Sequence, residues 1–339
     1  MKKIQRILVI RFSAMGDIIL ATPLIRWIRQ GYPEAELDVL VRSEYRSLLE
    51  SHPYVNQVLT WPIRGGLTDL IALQKRIRQQ HYDVLIELQA NGRSRWLAFM
   101  AGARRTYYYR PKRLQRFLLV CFRLNLFKIS VPVPIRYLAA VKPLHIQDDG
   151  SGASLFPEDR AKNTVQRLIK KIRKDRMILL APGAAHATKQ WPLQFYAEVG
   201  RFLQTSGFSI VLIGGETDRS VCERLSGVLD SRPLNLAGKL TLIESAALLQ
   251  LSRLLVTNDT GVMHMAGAVD TPVVAIFGPT TQELGFFPFR SANRVIEHEQ
   301  LNCRPCSFHG TARCPRKHFR CMQEILPDQV IQAVKMLIY

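Results

Sequence analysis

The chain has 339 residues, room for two domains of ordinary size, and its 47% apolar content and mean hydropathy of -0.01 exclude a disordered or fibrous protein. No apolar run reaches the ~20 residues of a membrane-spanning helix, since Arg123 interrupts the nearest one, Phe117–Phe127. No charged-then-apolar leader precedes the first strand-like run, so a cytosolic protein with reduced cysteines is expected, and its net charge of +20 calls for an anionic partner.

In chain order, Arg6–Arg11 is a predicted strand that turns through Phe12-Ser13-Ala14-Met15-Gly16 into Asp17 and an apolar helix reaching Gly31. Pro23 kinks that helix or starts a second one. The turn carries a single glycine and fails the dinucleotide fingerprint G-x-G-x-x-G. Strands at Leu37–Val41, Val58–Thr60 and Val84–Leu88 follow, with a helix at Thr68–Gln80 before the last of them. Such alternation argues for a parallel sheet covered by helices on both faces. Asp17 stands just past a strand end, where a carboxylate suits a general base for a hydroxyl nucleophile and equally suits a helix cap.

Between Glu87 and Asp148 there is no acidic residue, yet there are twelve Lys or Arg, with Trp96, Phe99, Tyr107–Tyr109, Phe117, Phe122 and Phe127 among them. A solvated face rarely lacks one sign of charge for so long. Nucleic acid, an anionic membrane surface and a polyanionic substrate would each account for it. Nucleic acid ranks last, because no helix-turn-helix, RRM or zinc-finger pattern is present.

Gln147–Pro157, small and turn-forming, is the expected linker. Beyond it come a helix at Glu158–Lys171, a strand at Met177–Ala181, the loop Pro182–Lys189, a helix at Pro192–Gln204 and a strand at Ser209–Ile213. Lys189, beside Thr188, suits a phosphate contact or is an ordinary surface lysine, and Glu216 is a solvated loop glutamate or an acceptor of hydrogen bonds from ribose hydroxyls. The most informative stretch is Val256–Thr280, VTNDTGVMHMAGAVDTPVVAIFGPT. It reads as a strand, a short helix from Thr260 to about Val269, and a buried strand running into Gly278-Pro279-Thr280. Asp259 sits where an N-cap belongs, and Gly261 permits close backbone approach at a helix start that attracts phosphate. His264 lies one turn further on. A buried unit in which Asp259 only caps and His264 only packs fits the same spacing.

Cys303, Cys306, Cys314 and Cys321 follow a CxxC-led spacing compatible with a structural zinc site or with buried thiols. The sequence has no Asp-x-Asp, P-loop, nucleophile elbow or kinase signature. Without Asp-x-Asp, charge on a diphosphate leaving group would fall to Lys189 and helix N–H groups.

Together RFSAMGDIILATP, PGAAHATKQWP, the Val256–Thr280 block and the closing Cys-rich segment resemble glycosyltransferase family 9, the ADP-heptose:lipopolysaccharide heptosyltransferases of Gram-negative bacteria. The resemblance runs nearly end to end. It implies an α/β, GT-B architecture of two Rossmann-like parallel-sheet domains facing an inter-domain cleft. Residues 1–154 would bind an anionic inner-core acceptor and 155–326 an ADP-sugar donor, with the 327–339 helix a candidate to return to the first domain. It implies inverting transfer, no essential metal and no cofactor. Asp17 matches the family's base, and Thr188 and Lys189 match its diphosphate contacts, Lys189 being catalytic as well. Glu216 matches a nucleoside contact, and Asp259, Thr260, Gly261 and His264 the donor loop and helix. Met15, Gly16 and Leu240 complete the implied donor site. The enzyme would then act on the inner face of the cytoplasmic membrane. A family member using another nucleotide sugar and a non-enzymatic nucleotide- or nucleic-acid-binding protein are the competing readings. Gly92–Val141 matches no family motif, so the acceptor is not named by the resemblance.

Overall fold

A computed structural model describes residues 3–339; Met1 and Lys2, the start of the expected first domain, lie outside them. The chain forms two compact units. Unit 1 runs to Pro111 and resumes at Val131–Phe156, while unit 2 takes Lys112–Ser130 and Pro157–Tyr339.

In unit 1, strands β1 (Arg6–Ile10), β2 (Glu36–Arg42), β3 (Gln57–Trp61), β4 (Val84–Glu87) and β5 (Arg105–Tyr108) form a sheet in the order β3-β2-β1-β4-β5. Every pairing is parallel, with Val9 opposite Val39 and Ile86. Ile7, Leu8, Val9 and Ile10 are all fully buried. Helices cover both faces of a parallel sheet, so its central strands read as unbroken apolar runs. The strand order reverses between β1 and β4, and the loops leaving their carboxyl ends flank the crevice where open α/β sheets hold ligands.

Pro23 starts a second helix. Helix α1 (Met15–Ile19) ends before α2 (Thr22–Gly31), in whose first turn Pro23 sits, a position where the missing N–H has no partner to lose. Helix α3 (Leu67–Gln79) buries Leu70, Leu73 and Ile77 at helical spacing. Helix α4 (Gly92–Met100) is capped by Asn91, whose side chain accepts the Ser94 N–H at 2.9 Å.

Helix α5 (Arg113–Phe117) and the π-turn Leu118–Phe122 belong to unit 2, and the chain re-enters unit 1 at α6 (Val133–Ala140). The sequence reading kept this whole stretch in the first domain. It leaves because Leu119, Val120 and Phe127 bury themselves against Leu284, Phe286 and Phe308.

Unit 2 repeats the plan. Its strands β6 (Met177–Ala181), β7 (Ser209–Leu212), β8 (Leu234–Asn235), β9 (Leu254–Asn258), β10 (Val273–Phe277) and β11 (Asn293–Glu297) are parallel, in the order β11-β10-β9-β6-β7-β8. Helices α7 (Asp159–Leu168), α8 (Leu193–Thr205), α9 (Arg219–Val228), α10 (Leu242–Gln250), α11 (Gly261–Gly267), α12 (Arg320–Gln323) and α13 (Pro327–Ile338) accompany them. The reversal of order falls between β6 and β9. Helix α13 does not return to unit 1: Val330, Ala333, Val334 and Ile338 join the unit 2 core beside Ile178 and Leu254. Among the described residues no helix is long and apolar enough to cross a membrane.

Candidate active site

The loop after β1 places Asp17 at the crevice of unit 1. It is the third residue of α1, not its N-cap, which is Ala14. Its Oδ1 lies 2.7 Å from Nη2 of Arg11 and 3.5 Å from the Tyr137 hydroxyl, while Oδ2 accepts the Ala14 N–H at 3.4 Å. Arg11 is 8% exposed and also donates through Nη1 to the Leu88 carbonyl at 2.6 Å. Burial opposes the Arg11 charge, but its neighbours, the Asp17 carboxylate among them, raise its pKa on balance, so it stays charged. Burial, with Asp17 adjacent, pushes the Tyr137 phenol well above its usual range, so it remains a neutral donor. One carboxylate oxygen is therefore ion-paired at 2.7 Å, and each oxygen makes one further, long hydrogen bond. Met15 and Gly16 form the half-buried first turn of the same helix.

In unit 2 the organising residue is Asn258 at the end of β9. It is fully buried, donates to the Pro182 and Gly183 carbonyls at 2.9 and 3.1 Å, and accepts the Trp191 N–H at 3.2 Å. The β6 loop is thereby pinned across the end of β9, which fixes Lys189 against Asp259. Lys189 Nζ and the Thr280 hydroxyl both reach Asp259 Oδ2, each at 2.7 Å. Asp259 is accordingly not the cap of α11; Thr260 holds that position, and its side chain makes no capping bond. Helix α11 is also shorter than the sequence implied, beginning at Gly261 and ending at Gly267.

Thr188 and Lys189 part company. The Thr188 hydroxyl donates to the Thr311 carbonyl at 2.9 Å and accepts the Thr311 N–H at 2.8 Å. These two bonds fasten the Cys-rich segment to the β6 loop, as a buried hydroxyl takes nearby backbone partners. His264 is buried within α11, and Thr260 and Gly261 are half-buried at its start. Glu216 is exposed, pairs with Arg219 at 3.1 Å and abuts Gly238, whose φ of +72° suits glycine. Leu240 follows two residues on, half-buried.

Of the two readings of the four cysteines, zinc site or buried thiols, the first finds no grouped ligands: among the described residues no three His, Cys, Asp or Glu side chains are grouped to hold a metal ion. Burial first, then the neighbouring cysteines, push the Cys321 thiol up to about 12 and raise Cys306 as well, which keeps both protonated. Cys303 lies 3.8 Å from the His318 ring and Cys314 is half-buried. The segment's work here falls to Arg304, which donates to the carbonyls of Gly278, Thr280 and His298 and to Glu297.

Sequence reading did not single out Arg11, Tyr137, Asn258 or Thr280. Arg11 left a trace, as a cation closing an apolar strand. Tyr137 left none, since its pairing with Asp17 spans most of unit 1.

Two successive doubly wound parallel units in one chain are the construction of GT-B glycosyltransferases, and the molecule is an enzyme of that class. The chain belongs to glycosyltransferase family 9, the heptosyltransferase family, whose model matches residues 70–315. It is 28% identical to lipooligosaccharide heptosyltransferase 2 of Haemophilus ducreyi, over 98% of this chain and 99% of that one. Lipopolysaccharide heptosyltransferase 2 of Salmonella typhimurium is 28% identical over 82% and 84% of the two chains. Among solved structures, ADP-heptose lps heptosyltransferase II of E. coli superposes with a TM-score of 0.77 and 25% identity, covering 98% of both chains. A family 9 glycosyltransferase from Veillonella parvula shares the fold at a TM-score of 0.84 with 21% identity, over 98% of this chain and 97% of that one.

Proposed function

We propose that the enzyme moves heptose from ADP-heptose to an anionic inner-core lipopolysaccharide acceptor in a single inverting displacement, with no essential metal ion. Unit 1 supplies the base and unit 2 the leaving-group contacts. The carrying observation is the asymmetric hold on Asp17: Oδ1 is ion-paired with Arg11, and Oδ2, which has only a long bond from the Ala14 N–H, is left to take the acceptor hydroxyl proton. With a side chain 20% exposed, Asp17 is reachable from solvent.

On the donor side, an ammonium has three N–H donors and Asp259 engages one of them. The remainder would bind the diphosphate, whose charge grows as the glycosidic bond breaks. The uncapped amides at Gly261 add to this. Glu216 and Leu240 are assigned to the nucleoside, Met15 and Gly16 to the sugar end. The ADP-heptose donor and lipopolysaccharide acceptor are taken over from what the family 9 relatives are named for. The acid-free basic stretch supports a phosphate- and carboxylate-bearing acceptor and work at the anionic inner face of the cytoplasmic membrane.

Asp17→Asn tests the reading. Asparagine can still accept the Ala14 N–H but cannot take a proton. We expect turnover to fall ~100-fold or more at unchanged ADP-sugar affinity, with stability lowered by about 3 kcal/mol because the buried Arg11 loses its counter-charge. Activity is measured with ADP-heptose and inner-core acceptors of defined truncation. A variant that kept most of its turnover would remove Asp17 as the base.

A further inference from the structure

The segment Lys112–Ser130 is rooted in unit 2. Besides its buried Leu119, Val120 and Phe127, Asn125 donates to Glu283 at 3.2 Å, Ser130 donates to the Gln282 carbonyl at 2.7 Å, and Arg116 lies over the Phe308 ring. Most of its other apolar side chains are exposed. Leu114, Phe117, Phe122, Leu124, Leu126 and Ile129 are 47–74% exposed. Single exposed apolar residues are ordinary, but a run of them on one anchored excursion is not. Lys112, Arg113, Arg116, Arg123 and Lys128 are interleaved with them, and the segment holds no acidic residue.

Arg123 joins this apolar run to a second feature. It lies between Phe122 and Leu124, in the left-handed conformation (φ +61°) that ends the π-turn, and it lines an open cavity of about 480 Å³. His298, Asn302, Arg316, His318 and Arg320 line the same cavity. Glu324 takes up part of that charge, through Arg320 at 2.5 Å and His298 at 2.7 Å.

We propose that Lys112–Ser130 seats the enzyme on an anionic phospholipid bilayer. The exposed Leu, Phe and Ile side chains enter the interface, and the Arg123–Arg316 cavity receives a headgroup phosphate. This rests on the reading of the enzyme as one working at a membrane surface, and adds that apolar insertion by this segment holds it there. A bilayer interface fits because it offers what the segment presents at every step: an apolar interior beneath an anionic surface, fluid enough to take an irregular set of side chains.

The test is co-sedimentation of the full-length enzyme with vesicles of phosphatidylcholine, with and without phosphatidylglycerol. Phe117→Ser with Phe122→Ser removes insertion at exposed positions, so folding is spared. Arg123→Glu with Arg316→Glu removes the cavity charge. Arg105→Glu with Arg110→Glu, in unit 1, is the comparison. We expect the parent to pellet only with the anionic vesicles. Both unit 2 double variants should lose at least ~10-fold in partitioning, and the unit 1 variant less. Phe122→Trp should gain emission that brominated lipid quenches. If the parent pellets and the phenylalanine variant pellets equally, the seating role is overturned while membrane action stands. If the parent does not pellet, both fail. If the parent is a dimer that the phenylalanine variant dissolves with no change in lipid binding, the face is a contact between copies and the proposal is overturned. Binding of inorganic phosphate in the cavity, with no effect of Arg123→Glu and Arg316→Glu on vesicles, would overturn the headgroup role.

Discussion

Lys189 shows how a residue singled out for a ligand is first committed to the fold. Its ammonium and the Asp259 carboxylate are 14% and 7% exposed, and they lie 2.7 Å apart. Removing one member of such a pair costs about 3 kcal/mol, mostly for the charge left buried alone. Lys189→Ala should therefore lower stability by about that amount, as well as weakening ADP-sugar binding and turnover. Asp259→Asn added to it removes the stranded charge, so most of the stability should return while affinity stays low. Denaturant melts and calorimetric titration of the single and double variants read the two effects separately. Affinity restored along with stability would make Lys189 a purely structural partner of Asp259. Its pairing was invisible in sequence because lysine and aspartate meet only where Asn258 folds the β6 loop over β9. Position after a strand end marked both residues, but not their pairing.

At the scale of elements, the stretch read as a linker is clipped to a helix. Asp149 accepts from Arg26 Nε and Nη2 at 2.6 and 3.0 Å, from Trp27 Nε1 at 2.8 Å and from Gln30 at 3.1 Å, all three residues on α2. The Arg26 bonds, working against burial and helped by Trp27, hold its carboxyl well below the ordinary range. A carboxyl depressed on folding stabilises the native state fully above its unfolded pKa of about 3.9 and loses that contribution as pH falls below it. Asp149→Asn should cost about 3 kcal/mol at neutral pH by stranding the buried Arg26, and the gap to the parent should close on strong acidification. A pH series of denaturant melts checks this; a gap that is absent at neutral pH would make the clip incidental. The strands themselves were plain in sequence, because burial on both faces writes them as apolar runs. The helix expected at Thr68–Gln80 lies one residue earlier, at Leu67–Gln79. What the sequence hid are the partnerships between distant segments. Leu119 and Val120 look like any apolar helix face until they meet Leu284, and Arg11 and Tyr137 show no shared periodicity.

For the whole molecule, a net charge of +20 repels itself, so anions of many kinds will stabilise it. That general effect has to be separated from recognition of a nucleotide. A ligand bound only by the native state adds RT ln(1 + [L]/Kd), about 2.7 kcal/mol at one hundred times Kd. Screening largely removes interactions between exposed charges farther apart than the Debye length, about 8 Å at physiological salt, whereas hydrogen bonds and packing around a base are little affected. ADP should therefore raise the melting temperature in a concentration-dependent way that survives added salt. UDP and GDP should give only the part that salt removes. If Lys189 binds the diphosphate and Asp17 is the base as proposed, Lys189→Ala should cut the ADP-specific part and Asp17→Asn should leave it intact. Equal, salt-resistant stabilisation by all three nucleotides would remove the adenine preference, and the enzyme would then be a family 9 transferase for another nucleotide sugar.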